Sequence, residues 1–210
     1  MQRSSGARLF PLFIILIIIA LVIAAIVSIG RAVFNSGSDT NSEDTSQTDV
    51  GRESLLKTDE SRSVQMTVRG PIVADENFTS YRIEISPSER DMDVYKGYLE
   101  DRTNGKSLSN NTQAYEQFVF ALDKANMMKG ENSEDSEATD DLRGICATGY
   151  VYEFAVLEAR SEVKRLWTST CDGSPGSLQA SKEQLADLFL AQVPGADDLI
   201  PFKRSPLLRL

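Results

Sequence analysis

The amino-acid sequence predicts an α+β domain, a two-layer antiparallel sheet of about five strands with two helices on one face. Two kinds of pattern support this prediction. Short segments alternate apolar and polar residues, as half-buried strands do. Two longer segments repeat apolar residues every three or four positions, as amphipathic helices do. Their order along residues 64–197 is three strands, a helix, two strands and a helix.

The first three strands are indicated by alternation. Residues 64–68 read Val-Gln-Met-Thr-Val, and residues 81–85 alternate Tyr, Ile and Ile with Arg and Glu. Residues 92–98 indicate a third, less regular strand. Because the connections between them are short, these strands predict an antiparallel meander.

The two helices are predicted from apolar periodicity and from capping residues. The first is expected over residues 112–129, with Asn111 as its N-cap and Gly130 as the residue that ends it. The polar stretch before it, which begins with an Asn-Gly pair, is interpreted as a loop. The second helix begins after Ser181, which forms a capping-box pattern with Gln184.

The last two strands are predicted to form a hairpin that brings Cys146 and Cys171 together. If the two cysteines face each other, the turn falls at residues 158–160. This register combines a disulfide, an aromatic face and a cross-strand ion pair. The predicted pairs are Tyr150 with Trp167, Tyr152 with Arg165, Phe154 with Val163, and Glu153 with Lys164.

Cys146 and Cys171 are the chain's two cysteines, and they are predicted to form a structural disulfide. A redox role is the rival interpretation. Their spacing is not C-x-x-C, and the chain has no His to activate a thiol, so the structural bridge is favoured. It would close a loop of about 26 residues and contribute roughly 3–4 kcal/mol in the chain-entropy model.

Residues 9–29 form an apolar run without a charged side chain. At about 1.5 Å per residue, a helix of this length spans roughly 31 Å, close to the thickness of a bilayer's hydrocarbon core. The run is longer than the core of a cleaved signal peptide. We therefore expect an uncleaved signal anchor, with the lipid bilayer as the partner of residues 9–29. Arg3 and Arg8 favour a cytoplasmic N-terminus.

The anchor predicts a single-pass protein of the cell membrane, with the C-terminal domain outside the cytoplasm. In this interpretation, residues 31–63 form a disordered linker, because they are polar and almost without large apolar side chains. The predicted divisions are a cytoplasmic N-terminus at 1–8, the transmembrane anchor at 9–30, the linker at 31–63, the extracytoplasmic domain at 64–197 and a tail at 198–210.

The charge and composition argue against several function classes. The net charge of −9 is unfavourable for binding nucleic acid, which requires a basic surface. The absence of His removes the commonest general base and metal ligand. No catalytic, cofactor-binding or metal site is predicted, and no cofactor is expected. A hydrolase that uses Ser or carboxylates remains an alternative.

Two clusters are candidate sites. The aromatic set Tyr150, Tyr152, Phe154 and Trp167 is interpreted as core beneath the helices, with a ligand pocket as the alternative. The acidic loop at residues 131–141 has carboxylates that calcium would accept, but it lacks the EF-hand pattern, so a solvated loop is favoured.

Four stretches carry a resemblance to a group of proteins: VQMTVRGPIVADENF, FALDKANMMKG, RGICATG and KRLWTSTCDGSPGSL. The domain resembles uncharacterised single-pass membrane-anchored proteins of small-genome, host-attached bacteria. The resemblance covers most of residues 64–193. It implies a membrane-anchored domain, and it carries over no activity and no site residue.

The leading functional hypothesis is a non-enzymatic binding or interaction module displayed outside the membrane, with an unknown protein or envelope component as its partner. An accessory subunit of a membrane or envelope complex is the alternative, in which the anchor helix itself packs on partners. The smooth, Ile-rich run at residues 9–29 has few small residues for such packing.

Overall fold

The computed structural model describes residues 49–130 and 142–202. The predicted anchor, the linker up to residue 48 and the acidic loop at 131–141 lie outside the described residues. Those three predictions therefore stay predictions. Among the described residues, no helix has both the length and the apolar character needed to cross a membrane.

One antiparallel sheet of six strands dominates the described part of the chain, in the order β4-β3-β2-β1-β5-β6. The central strand β1 pairs with β2 on one side and β5 on the other. The predicted α+β class is confirmed, and the meander of the first three strands extends to a fourth. The strands are β1 (Arg62–Arg69), β2 (Thr79–Ile85), β3 (Glu89–Lys96), β4 (Asp101–Ser109), β5 (Val151–Glu158) and β6 (Ser161–Ser169).

In the described residues, three helices contribute side chains to one apolar core. They are α1 (Val50–Leu55), α2 (Thr112–Lys124) and α3 (Lys182–Ala191). Short 3-10 turns cover Asp75–Asn77 and Ala196–Asp198. The sheet has two chemically different faces, and the helices place their buried side chains against only one of them.

The core face is built from rows of paired residues. Met66 pairs with Ile83 on β2 and with Phe154 on β5, and all three are fully buried. The Phe189 ring of α3 lies 6.1 Å from the Phe154 ring and 5.3 Å from the Phe118 ring of α2. This aromatic contact joins both helices to the sheet.

Strand β4 was expected to be a loop, and this expectation is wrong. The strand pairs with β3 from Asp101 to Ser109. Most of its side chains are exposed, because it lies at the edge of the sheet. An edge strand of this kind is stabilised mainly by backbone hydrogen bonds, which leave no apolar alternation in the sequence.

The first long helix begins as predicted and ends earlier. The Asn111 side chain accepts a hydrogen bond from the Ala114 N–H at 2.9 Å, which confirms the N-cap. The helix ends at Lys124, and Asn126, with φ of 60°, is the C′ residue in place of Gly130. The Met127 N–H donates to the Leu122 carbonyl at 3.0 Å, which completes a Schellman motif.

The predicted hairpin between β5 and β6 exists, but its predicted register is wrong. Phe154 pairs with Leu166, and Glu153 pairs with Trp167. The register is shifted by three positions, and an odd shift moves the β6 side chains to the opposite face. Trp167 therefore lies on the face away from the helices, and the predicted Glu153–Lys164 pair does not form.

The two ends of the described domain extend beyond the expected boundaries. Helix α1 falls within the stretch 31–63 that was predicted to be linker, and its Leu55 is buried in the core. After residue 197, where the tail was expected to begin, Phe202 packs against the core. Its ring centroid lies 4.7 Å from that of Tyr150 and 5.6 Å from that of Tyr81. The stretch 31–63 has few large apolar residues, so its composition does not reveal the packing of Leu55, whereas residues 198–202 are mostly apolar.

Replacing the N-cap Asn111 by Ala is expected to lower the free energy of unfolding by about 1 kcal/mol, because the Ala114 N–H loses its acceptor. Urea unfolding followed by the fluorescence of Trp167, the chain's single Trp, measures the loss. The control is Asn77→Ala at an exposed position, where a change below about 0.5 kcal/mol is expected. Equal losses in both variants would contradict the capping role.

Candidate functional site

A cavity of about 420 Å³ lies at the polar face of the sheet, away from the helices. Its charged lining consists of Arg69 at the end of β1, Arg165 on β6, and Arg143 in the segment before β5. We call it the Arg69 pocket. Its volume falls within the range of about 300–1,000 Å³ that is typical of small-molecule sites.

The remaining side chains that line the Arg69 pocket are mostly apolar. The Phe78 and Tyr98 rings are stacked with centroids 3.8 Å apart and planes 9° from parallel. The Tyr98 hydroxyl donates to the Val73 carbonyl at 2.9 Å, which holds the ring in place. The apolar lining consists of Ile72, Phe78, Tyr98, Leu142, Cys146 and Val151.

The turn that presents Tyr98 has an unusual backbone. Gly97, Tyr98 and Leu99 have successive φ values of 60°, 53° and 77°. Left-handed conformations are unfavourable for residues with a side chain, and they concentrate where function requires a fixed geometry. The strained backbone of residues 97–99 and the Tyr98 ring that stacks on Phe78 therefore lie on the same side of the pocket.

The opposite wall is the segment before β5, and the disulfide holds it. Cys146 Sγ and Cys171 Sγ lie 2.04 Å apart, so the predicted pairing is confirmed. The Ile72 N–H donates to the Ala147 carbonyl at 2.9 Å. The Ser174 hydroxyl donates to the Ile145 carbonyl, also at 2.9 Å. These contacts connect the wall to two other loops.

Glu153 holds the side chains of Arg69 and Arg165 in position, although it does not itself line the pocket. Its side chain is 6% exposed and does not line the cavity. Arg69 Nε donates to one carboxylate oxygen at 2.5 Å, and Arg165 Nη1 donates to the other at 2.9 Å. The two guanidinium groups are thus fixed side by side by one buried carboxylate.

A second polar cluster lies farther along the same face, on β3 and β4. Arg102 Nε donates to the Asp93 carboxylate at 2.5 Å, and this hydrogen bond raises the pKa of Arg102. Burial raises the pKa of the Tyr95 phenol, and the Asp93 charge raises it further. Tyr95 therefore stays neutral and donates to Asp93 at 3.4 Å. The cluster stabilises the edge of the sheet.

The four aromatic residues singled out in the sequence are not brought together as one site. Phe154 is fully buried, and Tyr150 and Tyr152 are partly buried against the core. Trp167 lies on the polar face instead. None of the four lines the Arg69 pocket. Within the described ranges, no group of three or more His, Cys, Asp or Glu side chains is arranged to hold a metal ion.

Sequence reasoning missed the Arg69 pocket because its walls come from five separate parts of the chain. One signal pointed to it. Ile72 and Val73 follow a Gly-Pro break, and both are large apolar residues that remain 45% and 44% exposed. Ile72 and Tyr98, which is 42% exposed, line the cavity, and the Val73 carbonyl accepts the hydrogen bond of the Tyr98 hydroxyl.

Comparison of the chain with models of protein families, with curated proteins and with solved structures returns no match. The function is therefore inferred from the geometry of the Arg69 pocket and from the composition of the chain.

Proposed function

We propose that this protein is a membrane-anchored binding module that acts outside the cytoplasm without catalysis, and that the Arg69 pocket is its ligand site. The observation that carries the proposal is the lining of the pocket. Three arginines converge on a largely apolar cavity in a chain whose net charge is −9. An arrangement of a few polar groups among apolar walls is typical of ligand sites.

The chemistry of the lining favours binding over catalysis. Among the described residues, the side chains that line the pocket include no carboxylate, no amine and no aliphatic hydroxyl. The Cys146 sulfur is in a disulfide, and the Tyr98 hydroxyl donates to a backbone carbonyl. General acid–base catalysis needs a group that exchanges a proton near neutral pH, and arginine does not.

The proposed placement outside the membrane rests on two features of the chain. The apolar run at residues 9–29 is long enough to anchor it. The bonded pair Cys146–Cys171 fits an oxidising compartment, where disulfides persist. A binding domain joined to such an anchor samples ligands near the membrane surface.

The proposal predicts that a photoreactive phenylalanine analogue at position 98 captures a defined ligand in intact cells. Tyr98 is on the pocket rim, so an occupant lies within reach of its ring. The matched control is Phe120 on α2, an aromatic residue of similar exposure (45%). A species identified by mass spectrometry at position 98 and missing at position 120 supports the proposal. No adduct at position 98, or the same adducts at both positions, would overturn it.

A further inference from the structure

Strand β4 forms one edge of the sheet, and the backbone of this edge is open. In the described part of the chain, β4 pairs with β3 and with no other strand. Hydrogen bonds in an antiparallel pair alternate, so every second residue of an edge strand turns its N–H and C=O away from its neighbour. The Asn110 N–H donates to the Ser88 carbonyl at 2.7 Å, toward β3. By alternation, the backbone groups of Gly105, Ser107 and Ser109 point outward.

The middle of this edge is available for pairing. The Ser109 carbonyl accepts from the Arg90 guanidinium group at 2.8 Å. The Gly105 N–H donates to the side chain of Asn104 at 2.9 Å. Among the described residues, neither the N–H nor the C=O of Ser107 has a partner. An added strand can therefore exchange two hydrogen bonds with Ser107, as an edge strand does in β-strand addition.

The stretch 104–109 has few of the features that protect natural sheet edges. Such edges usually contain a proline, a bulge or an inward-pointing charge. The register between β3 and β4 is irregular only near Val94 and Tyr95, and residues 104–109 pair regularly and contain no Pro. Lys106 lies on the face of the helices, where it donates to the Pro194 carbonyl. About 20 Å of regular strand is thus open to a further strand.

The face of the sheet beside this edge is acidic. Asp91 lies opposite Ser107, and Glu89 lies opposite Ser109, so the two carboxylates share a face with these small side chains. Asp91 also lies opposite Glu84 on β2. Within the described ranges, none of these three carboxylates forms an ion pair with a basic side chain. We call Glu84, Glu89 and Asp91 the acidic row.

The basic side chains of β3 and β4 leave the acidic row exposed to a partner. Arg90 and Lys106 turn to the other face, where they donate to backbone carbonyls just after α3. Arg102 is paired with Asp93. A strand added beyond β4 lies two strand spacings, about 10 Å, from β3. Because the side chains of β4 between them are small, a Lys or Arg on the added strand can reach across to the row.

We propose that the open edge of β4 binds an extended segment of a partner protein, with Lys or Arg at alternate positions facing Asp91 and Glu89. The main-chain hydrogen bonds supply affinity, and the alternate side chains supply specificity. A second copy of this chain fits less well, because it has a net charge of −9 and carries the same acidic row. The edge includes no residue that lines the Arg69 pocket, so it is a second binding surface, independent of the proposed function.

Fluorescence anisotropy of labelled, end-blocked peptides tests the proposal, with the full chain in nanodiscs of zwitterionic lipid and empty nanodiscs as the blank. The peptide TKVKVKVT is expected to bind. Its counterpart TEVEVEVT is expected to bind at least about tenfold more weakly, because attraction to the acidic row becomes repulsion. A third peptide has N-methyl groups on the backbone nitrogens of its three lysines. It keeps the charge, loses the hydrogen bonds to β4, and is expected not to bind.

Four variants connect binding to the edge and to the acidic row. Ser107→Pro removes an N–H that points away from β3, a position where sheets accept Pro, and is expected to abolish binding. Its control, Ser107→Ala, keeps the N–H and is expected to bind like the wild type. Asp91→Asn is expected to reduce the preference for the Lys peptide about two- to fivefold. Its control is Glu116→Gln at an exposed position of α2, which is expected to keep the full preference.

Hydrogen exchange of the wild-type protein gives a measurement that does not depend on how Ser107→Pro folds. The bound Lys peptide is expected to slow exchange of the Ser107 and Ser109 amides more than that of the Lys106 and Leu108 amides, which are already bonded to β3. Equal slowing at all four amides would overturn the proposal. Equal binding of the Lys and Glu peptides, binding of the N-methylated peptide or binding of none would also overturn it. A dimer of the full chain that Ser107→Pro dissociates would do the same, since the occupant would then be a second copy.

Discussion

Replacing Glu153 by Gln is expected to lower the free energy of unfolding by about 2–4 kcal/mol. Glu153 is the buried acceptor for Arg69 and Arg165, at 2.5 and 2.9 Å. An amide offers one acceptor oxygen and turns an N–H toward the second guanidinium group, so one arginine loses its hydrogen bond to residue 153. The loss is smaller than for a fully buried pair, because the two arginine side chains are 31% and 22% exposed.

The exposed Glu162 provides a matched control for this experiment. It also contacts Arg165, at 3.4 Å, but its side chain is 48% exposed. Glu162→Gln removes the same charge from the neighbouring strand β6, and solvent screens the pair, so a loss below about 1 kcal/mol is expected. Urea unfolding by Trp167 fluorescence compares the two variants. Similar losses would show that Glu153 contributes only as a surface charge.

The central sheet was predictable from sequence because its strands alternate clearly. Residues of β1 and β2 such as Met66 and Ile83 face the core, and their neighbours face away from it. The caps at Asn111 and Ser181 were predictable for a local reason, since each side chain accepts a hydrogen bond from a backbone N–H three residues later. Strand alternation and helix caps depend on residues that are close in the sequence, so they can be recognised from the sequence alone.

The hairpin register was not predictable, because its turn has an unusual sequence. Ala159 and Arg160 form the turn with φ of 49° and 69°. Such positions usually have Gly or Asn, so no residue marked the turn. The cysteines lie beyond the ends of β5 and β6 and do not continue the ladder. Aligning the strands on the disulfide therefore gave an odd shift and the wrong face for Trp167.

The Arg69 pocket was hidden for a different reason. Arg69 and Arg165 are 96 residues apart along the chain, and they meet because β5 lies between β1 and β6. Glu153 joins them from the strand in the middle. A site formed by the order of strands in a sheet leaves no motif in the sequence.

Replacing both cysteines by Ser is expected to lower the free energy of unfolding by about 3–4 kcal/mol. The bridge between Cys146 and Cys171 joins positions 25 residues apart and restricts the unfolded chain. Its removal also loosens the wall of the Arg69 pocket, which the hydrogen bonds from Ile72 to Ala147 and from Ser174 to Ile145 continue to hold. Urea unfolding measures the stability.

Reduction of the wild-type protein supplies the control for the cysteine variant. If the bridge causes the effect, a reducing agent shifts the wild-type unfolding midpoint to that of the variant and leaves the variant unchanged.

The state of the two thiols in intact cells also tests the proposed compartment. After rapid alkylation, Cys146 and Cys171 are expected to be unlabelled, because the bond persists in an oxidising space. Labelled cysteines in native cells would contradict the placement of this domain outside the cytoplasm, while the stability loss would still measure the bridge.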